Sequence, residues 1–86
     1  SGNLKVSVAK QGSQIILDFQ AFTYIRSIRI HVLDYSADYS DNYFDLDAKS
    51  AKKIFVDLAD TENIENTVLY IEGENIDRLV FPICEL

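Results

Sequence analysis

Asp34, Asp38, Asp41, Asp45 and Asp47 crowd one stretch of the chain, and carboxylates so placed are the raw material of a calcium loop or of a paired acid and base. An EF-hand loop needs oxygen ligands at alternate positions, a glycine at the bend and a closing glutamate. From Asp45 the chain supplies Asp47 and then Lys49, with no glycine at the bend. The cluster therefore reads as a solvated acidic turn, and no metal or cofactor is expected. Glycoside hydrolysis needs two carboxyl groups about 5–9 Å apart across a sugar-binding cleft. A chain of 86 residues supports one core and no deep cleft, so its acids read as solubilising faces.

Nucleophilic chemistry finds no better foothold. His31 is the single histidine, and no Ser or Cys nucleophile motif accompanies it. It alternates with Ile30 and Val32, which places it on the solvent side of a strand. Cys84 is the single cysteine, so an intrachain disulfide and a zinc spacing are both excluded. Within the apolar run Leu79–Leu86 it reads as a small buried hydrophobe. Gly2, Gly12 and Gly73 are isolated, which leaves no phosphate-cradling loop. Tyr35, Tyr39 and Tyr43 are the remaining candidates: exposed tyrosines in a flat array can stack on sugar rings, or they can cover the sandwich end against a neighbouring domain. The domain contact is the favoured reading. No residue is expected to be catalytic.

The elements that must carry these side chains alternate with period two. Leu4, Val6 and Val8 alternate with Lys5 and Ser7, and after the turn Gln11-Gly12-Ser13 the residues Ile15, Leu17 and Phe19 alternate with Asp18 and Gln20. Ile28, Ile30 and Val32 then face one way, as do Ile54, Val56 and Leu58, and Thr67–Glu72 and Leu79–Cys84 are the last apolar runs. β-branched and aromatic residues dominate, as half-buried strands require. Six strands are clear and a short seventh falls around Tyr43–Leu46. This predicts an all-β, immunoglobulin-like antiparallel β-sandwich of about seven strands. Pro82 lacks a ladder donor and marks an edge or a bulge. Ala48–Lys52 reads as a turn or one helical turn, and Asp60–Asn66 as one turn crossing between the sheets behind an aspartate N-cap.

Ser40-Asp41-Asn42-Tyr43-Phe44-Asp45-Leu46 is the most informative stretch. Asp41 and Asn42 have short side chains that bond nearby backbone N–H groups and favour an Asx-type turn. Phe44 and Leu46, two apart, point to the core while Tyr43 and Asp45 point away. The string resembles the S-D-N-[YFG]-F-x-L signature of C-terminal immunoglobulin-like domains in family 2 glycoside hydrolases, with β-mannosidases and exo-glucosaminidases the nearest types. Lys52–Asp57 stands where that family places its next strand. The family follows its signature with a Leu-Pro-Gly-Glu type turn, whereas Asp47-Ala48-Lys49-Ser50-Ala51 follows here. The resemblance implies a non-catalytic accessory domain of a retaining exo-β-mannosidase. The two catalytic glutamates of such enzymes belong to a separate (β/α)₈ barrel, and no position here matches them. Other domains of the same parent chain are then the partners, carbohydrate is a second candidate, and a periplasmic or secreted location is implied. Residues 1–3 read as an expression scar or linker, and residues 4–86 as the accessory domain.

The bulk composition is that of one ordinary globular domain. The chain is 48% hydrophobic with a formal net charge of −6. Such a balance folds readily and repels phosphate backbones and anionic lipid, so nucleic acid and membrane are not expected as partners. No apolar run approaches the roughly 20 residues of a membrane-spanning helix.

Overall fold

The computed structural model describes residues 2–86. Eight strands follow one another: β1 (Leu4–Gln11), β2 (Gln14–Ala21), β3 (Ile25–Val32), β4 (Ala37–Tyr39), β5 (Phe44–Leu46), β6 (Ala51–Leu58), β7 (Val68–Gly73) and β8 (Ile76–Pro82). They build two antiparallel four-stranded sheets, β1-β2-β6-β4 and β5-β3-β7-β8. A sheet must bury its apolar face, and here each buries it against the other. Ile15, Leu17, Phe19 and Ala21 of β2, with Ile54, Val56 and Leu58 of β6, meet Ile25, Ile28, Ile30 and Val32 of β3 and Leu69 and Ile71 of β7. Apart from Ile25, which is three positions from Ile28, these are alternating positions of the sequence, so the period-two pattern became the inside of an all-β sandwich.

The strands β1-β2-β6 and β3-β7-β8 correspond to the A-B-E and C-F-G sets of an immunoglobulin domain. The two short strands between β3 and β6 depart from that order. β4 pairs with β6 at one lateral edge, and β5 returns to pair with β3 in the opposite sheet. The chain therefore crosses between sheets three times in succession, from β3 to β4, from β4 to β5, and from β5 to β6. The middle crossing is Ser40–Tyr43.

Eight strands form where about seven were expected. The addition is β4, whose three residues are too few for alternation to show. The strand expected around Tyr43 begins at Phe44. Gly12 adopts φ 59° at the first loop position of the β1–β2 hairpin, which glycine reaches without steric cost. Asp60 accepts the Glu62 N–H through its carboxylate, and the single 3-10 turn of this connection is Ile64–Asn66, with Ile64 buried. Pro82 closes β8, an edge strand. Cys84 corrects the expectation of a buried thiol: it is exposed. β8 ends at Pro82 and a 3-10 turn, Ile83–Glu85, replaces the strand period, so Ile83 turns inward and Cys84 outward.

Candidate functional site

The middle crossing holds the signature residues, and each has a partner. β5 covers only the first half of the β3 edge, pairing at Ile25 with Leu46 and at Ile28 with Phe44. Beyond Ile28 the β3 backbone would face outward with nothing to bond. Asn42 fills the gap: its Oδ1 accepts the Ile30 N–H at 2.8 Å and its Nδ2 donates to the Ile30 carbonyl at 2.9 Å. One side-chain amide thus stands in for one residue of a strand, and the two contacts fix which way the amide points. One step further on, the Tyr39 hydroxyl accepts the Val32 N–H at 2.9 Å. Desolvation raises the pKa of this phenol, which the Val32 N–H partly offsets.

Ser40 and Asp41 tie the same corner to β6. Ser40 exchanges bonds with Phe55, its N–H donating to the Phe55 carbonyl and its Oγ accepting the Phe55 N–H. Asp41 accepts a 2.5 Å bond from Lys52 Nζ and a second from the Asn42 N–H, and these hold its carboxyl below the usual range. Lys52 Nζ also lies 4.5 Å from the centroid of the Phe44 ring. Phe44 enters the core and meets Phe19 edge-on at 5.7 Å, and Leu46 is buried beside it. As expected from their spacing, Phe44 and Leu46 face in while Tyr43 and Asp45 face out.

Asp45 has a role that alternation did not reveal. Arg26 and Ser27 of β3 oppose it as two residues against one, a bulge in the β3–β5 ladder. Ser27 takes φ 56°, and its N–H donates to Asp45 Oδ1 at 2.8 Å while the Tyr24 hydroxyl donates to Oδ2 at 3.0 Å. These donors, the Ser27 N–H foremost, hold the Asp45 carboxyl low, and the bond to Asp45 raises the Tyr24 phenol. On the far side of the bulge Asn75 repeats the device of Asn42. Its Oδ1 accepts the Arg26 N–H and its Nδ2 donates to the Tyr24 carbonyl. Residues that act through a side chain far along the sequence, such as Asp45 and Asn75, leave no periodic mark.

The three tyrosines are used differently. The Tyr35 hydroxyl donates to the Glu62 carbonyl at 2.6 Å, and the ring is half-buried at one end of the sandwich, where desolvation and four nearby carboxylates raise its pKa. Tyr39 is half-buried and spent on Val32. Tyr43 alone is displayed, at 77% exposure, and its φ of 55° is unusual for a bulky side chain. Beside His31, the outer face of the second sheet adds aromatic and cationic groups not singled out from sequence. His31, Tyr70 and Val80 lie in one row across β3, β7 and β8. The His31 ring is 5.2 Å from that of Tyr70, and Arg78 lies 4.8 Å over the same ring while also bonding Glu72. His31 is exposed, as its place opposite Ile30 and Val32 requires.

Concavity is scarce. A depression of about 390 Å³ lies on the outer face of the first sheet against Lys5, Ser7, Asp18, Gln20 and Lys53. Two others, about 540 and 410 Å³, flank Tyr35 at the end of the sandwich. All are open and shallow. Among the described residues, no three His, Cys, Asp or Glu side chains converge as a metal site, and no helix is long and apolar enough to cross a membrane. Asp34, Asp38, Asp41, Asp45 and Asp47 are instead dispersed over turns and strand faces, and Asp41 and Asp45 are engaged in the internal bonds above. Comparisons with protein-family models, with curated proteins and with solved structures return no match for this chain.

Proposed function

We propose that this domain is a non-catalytic accessory module that supports other domains of a glycoside hydrolase of the exo-β-mannosidase type. The observation that carries the reading is the use made of Ser40–Leu46. Its resemblance to the family signature supplies the parent, and its bonding supplies the role. Ser40, Asp41, Asn42 and Asp45 direct their polar groups to the backbones of β3 and β6 or to Lys52 and Tyr24, and Phe44 and Leu46 fill the core. A segment so engaged serves to hold a scaffold in shape. Contact with neighbouring domains falls to the displayed groups, of which Tyr43 and Val80 (52% exposed) are on the second sheet's side. A periplasmic or secreted location goes with such a parent.

The test compares the chain alone with the full-length protein on aryl-β-mannosides. Hydrolysis by the full-length protein and none by the purified 86-residue chain is the expected result. Activity in the isolated chain would overturn the reading. A second reading, an autonomous carbohydrate-binding module, rests on the 77% exposure of Tyr43. Saturable binding of mannan that Tyr43→Ala abolishes would favour it; without such binding the supporting role stands.

A further inference from the structure

Each sheet ends in two edge strands, and a free edge is a template for pairing with another chain unless something blunts it. Three of the four edges here are blunted. β4 and β5 have three residues each. β8 carries a bulge at Asp77 and Arg78 opposite Glu72, and ends in Pro82. β1 differs. It runs eight residues in unbroken register from Leu4 to Gln11, with no proline, and among the described residues no strand lies against its outer side.

The direction of its free groups follows from the hairpin. The Phe22 N–H donates to the Asn3 carbonyl, so in this register the odd-numbered residues of β1 bond β2. The N–H and C=O groups of Val6, Val8 and Lys10 therefore aim outward. Val6 and Val8 are also only half-buried, although they point toward the core. Main-chain groups in need of a partner and apolar side chains in need of cover lie along the same line.

We infer that β1 is a self-association edge, taking β1 of a second copy in antiparallel register about a two-fold axis at Ser7. The sequence around Ser7 is self-complementary in that register. Val6 meets Val8 of the second copy and Val8 meets Val6, so the half-buried valines cover one another and their outward main-chain groups bond. Ser7 meets Ser7 on the outer face, and Lys5 meets Ala9, so no lysine faces a lysine. Lys10 falls opposite Leu4, and its amine already folds back to the Gly12 carbonyl at 2.6 Å. The four-stranded sheet β1-β2-β6-β4 becomes one continuous eight-stranded sheet, and the interface closes on itself as a two-fold contact does. This inference stands apart from the proposed parent enzyme, since it uses only the edge and its residues.

Cysteine cross-linking tests both the contact and its register, in a Cys84→Ala background so that the native thiol takes no part. Ser7 pairs form the close, non-hydrogen-bonded site of the new ladder, with Cα atoms roughly 4.5 Å apart, within reach of a disulfide. Mild oxidation of Ser7→Cys should give a covalent dimer, while Ala9→Cys, facing Lys5, should not. Sedimentation of the unmodified chain between micromolar and millimolar concentration should show the 9.8 kDa mass doubling. Ser7→Lys, a change at an exposed position, should weaken association up to roughly fivefold, with the deficit shrinking in salt. A chain that remains monomeric throughout, or equal cross-linking at both cysteine positions, would overturn the inference. The former outcome would leave the edge to a strand of another protein.

Discussion

At the scale of single residues, the corner between the sheets is governed by two side chains of opposite character. Asn42 replaces a missing strand residue, and removing it strands the Ile30 N–H and C=O at a part-buried position. Leaving such groups unpaired costs about 1–3 kcal/mol each. Asn42→Ala should therefore lower stability by about 2–4 kcal/mol in urea titration. Asn42→Asp should also be destabilising, because a carboxylate accepts from the Ile30 N–H but faces the Ile30 carbonyl as a second acceptor. Tyr43 next to it occupies a backbone region that disfavours a Cβ by roughly 1–2 kcal/mol and buries little in return. Tyr43→Gly should leave stability unchanged or raise it by up to about 1 kcal/mol, whereas Phe44→Ala should cost about 3–5 kcal/mol. The same geometry explains why a signature tolerating Tyr, Phe or Gly at this position is physically coherent: glycine has no penalty at φ 55°.

At the scale of elements, β3 is the strand on which the fold turns. It is bulged at Arg26 and Ser27, and each flank of that irregularity is repaired by a side chain from a distant segment. Asp45 serves one side and Asn75, at the tip of the β7–β8 hairpin, serves the other. The hairpin is brought close by Gly73, where an added Cβ would lie 2.8 Å from the Ile76 side chain and 3.4 Å from the Arg26 carbonyl. Asn75→Ala should free the Arg26 N–H and the Tyr24 carbonyl together. Hydrogen exchange at the Arg26 amide should then accelerate while exchange at the Ile30 amide, held by Asn42, stays slow. Equal acceleration at both amides would mean that Asn75 supports the whole sheet and not the bulge alone. The strand itself was legible because Ile28, Ile30 and Val32 alternate. The bulge was not, because its cause lies in residues 18 and 49 positions along the chain.

For the molecule as a whole, the two bonded aspartates link the corner and the bulge to acid stability. Asp41 and Asp45 both titrate below an ordinary carboxylate in the folded state. In the unfolded chain they protonate near pH 4, before their folded counterparts do. Their contribution is therefore complete above that pH and is lost as the pH falls through the lower, folded values. Melting temperature should drop as the pH falls below about 4, and the drop should be shallower in Asp45→Asn, which keeps an oxygen for the Ser27 N–H without the charge. A profile as steep as the parent's would place the acid sensitivity elsewhere. Folding should be slow for so small a domain, since β2 pairs with β6 and β3 with β7 across long stretches of chain.

Composition and alternation by themselves determined that this chain folds as an all-β sandwich and most of the residues that fill it, because burial on one face of a strand writes itself into every second position. They also placed Phe44 and Leu46 inside and Tyr43 outside, since that too depends only on local alternation. The resemblance carried by Ser40–Leu46 pointed to a parent enzyme without saying what the segment does. Only the tertiary structure decided that its Ser, Asp and Asn side chains bond the β3 and β6 backbones and Lys52, that β4 and β5 exchange the order of an immunoglobulin domain, that Cys84 faces solvent, and that β1 is a long edge strand with no neighbour on its outer side among the described residues. These are matters of which segments meet in space. A hydrogen bond between residues far apart in sequence depends on the packed arrangement of every strand between them, and no local pattern records it.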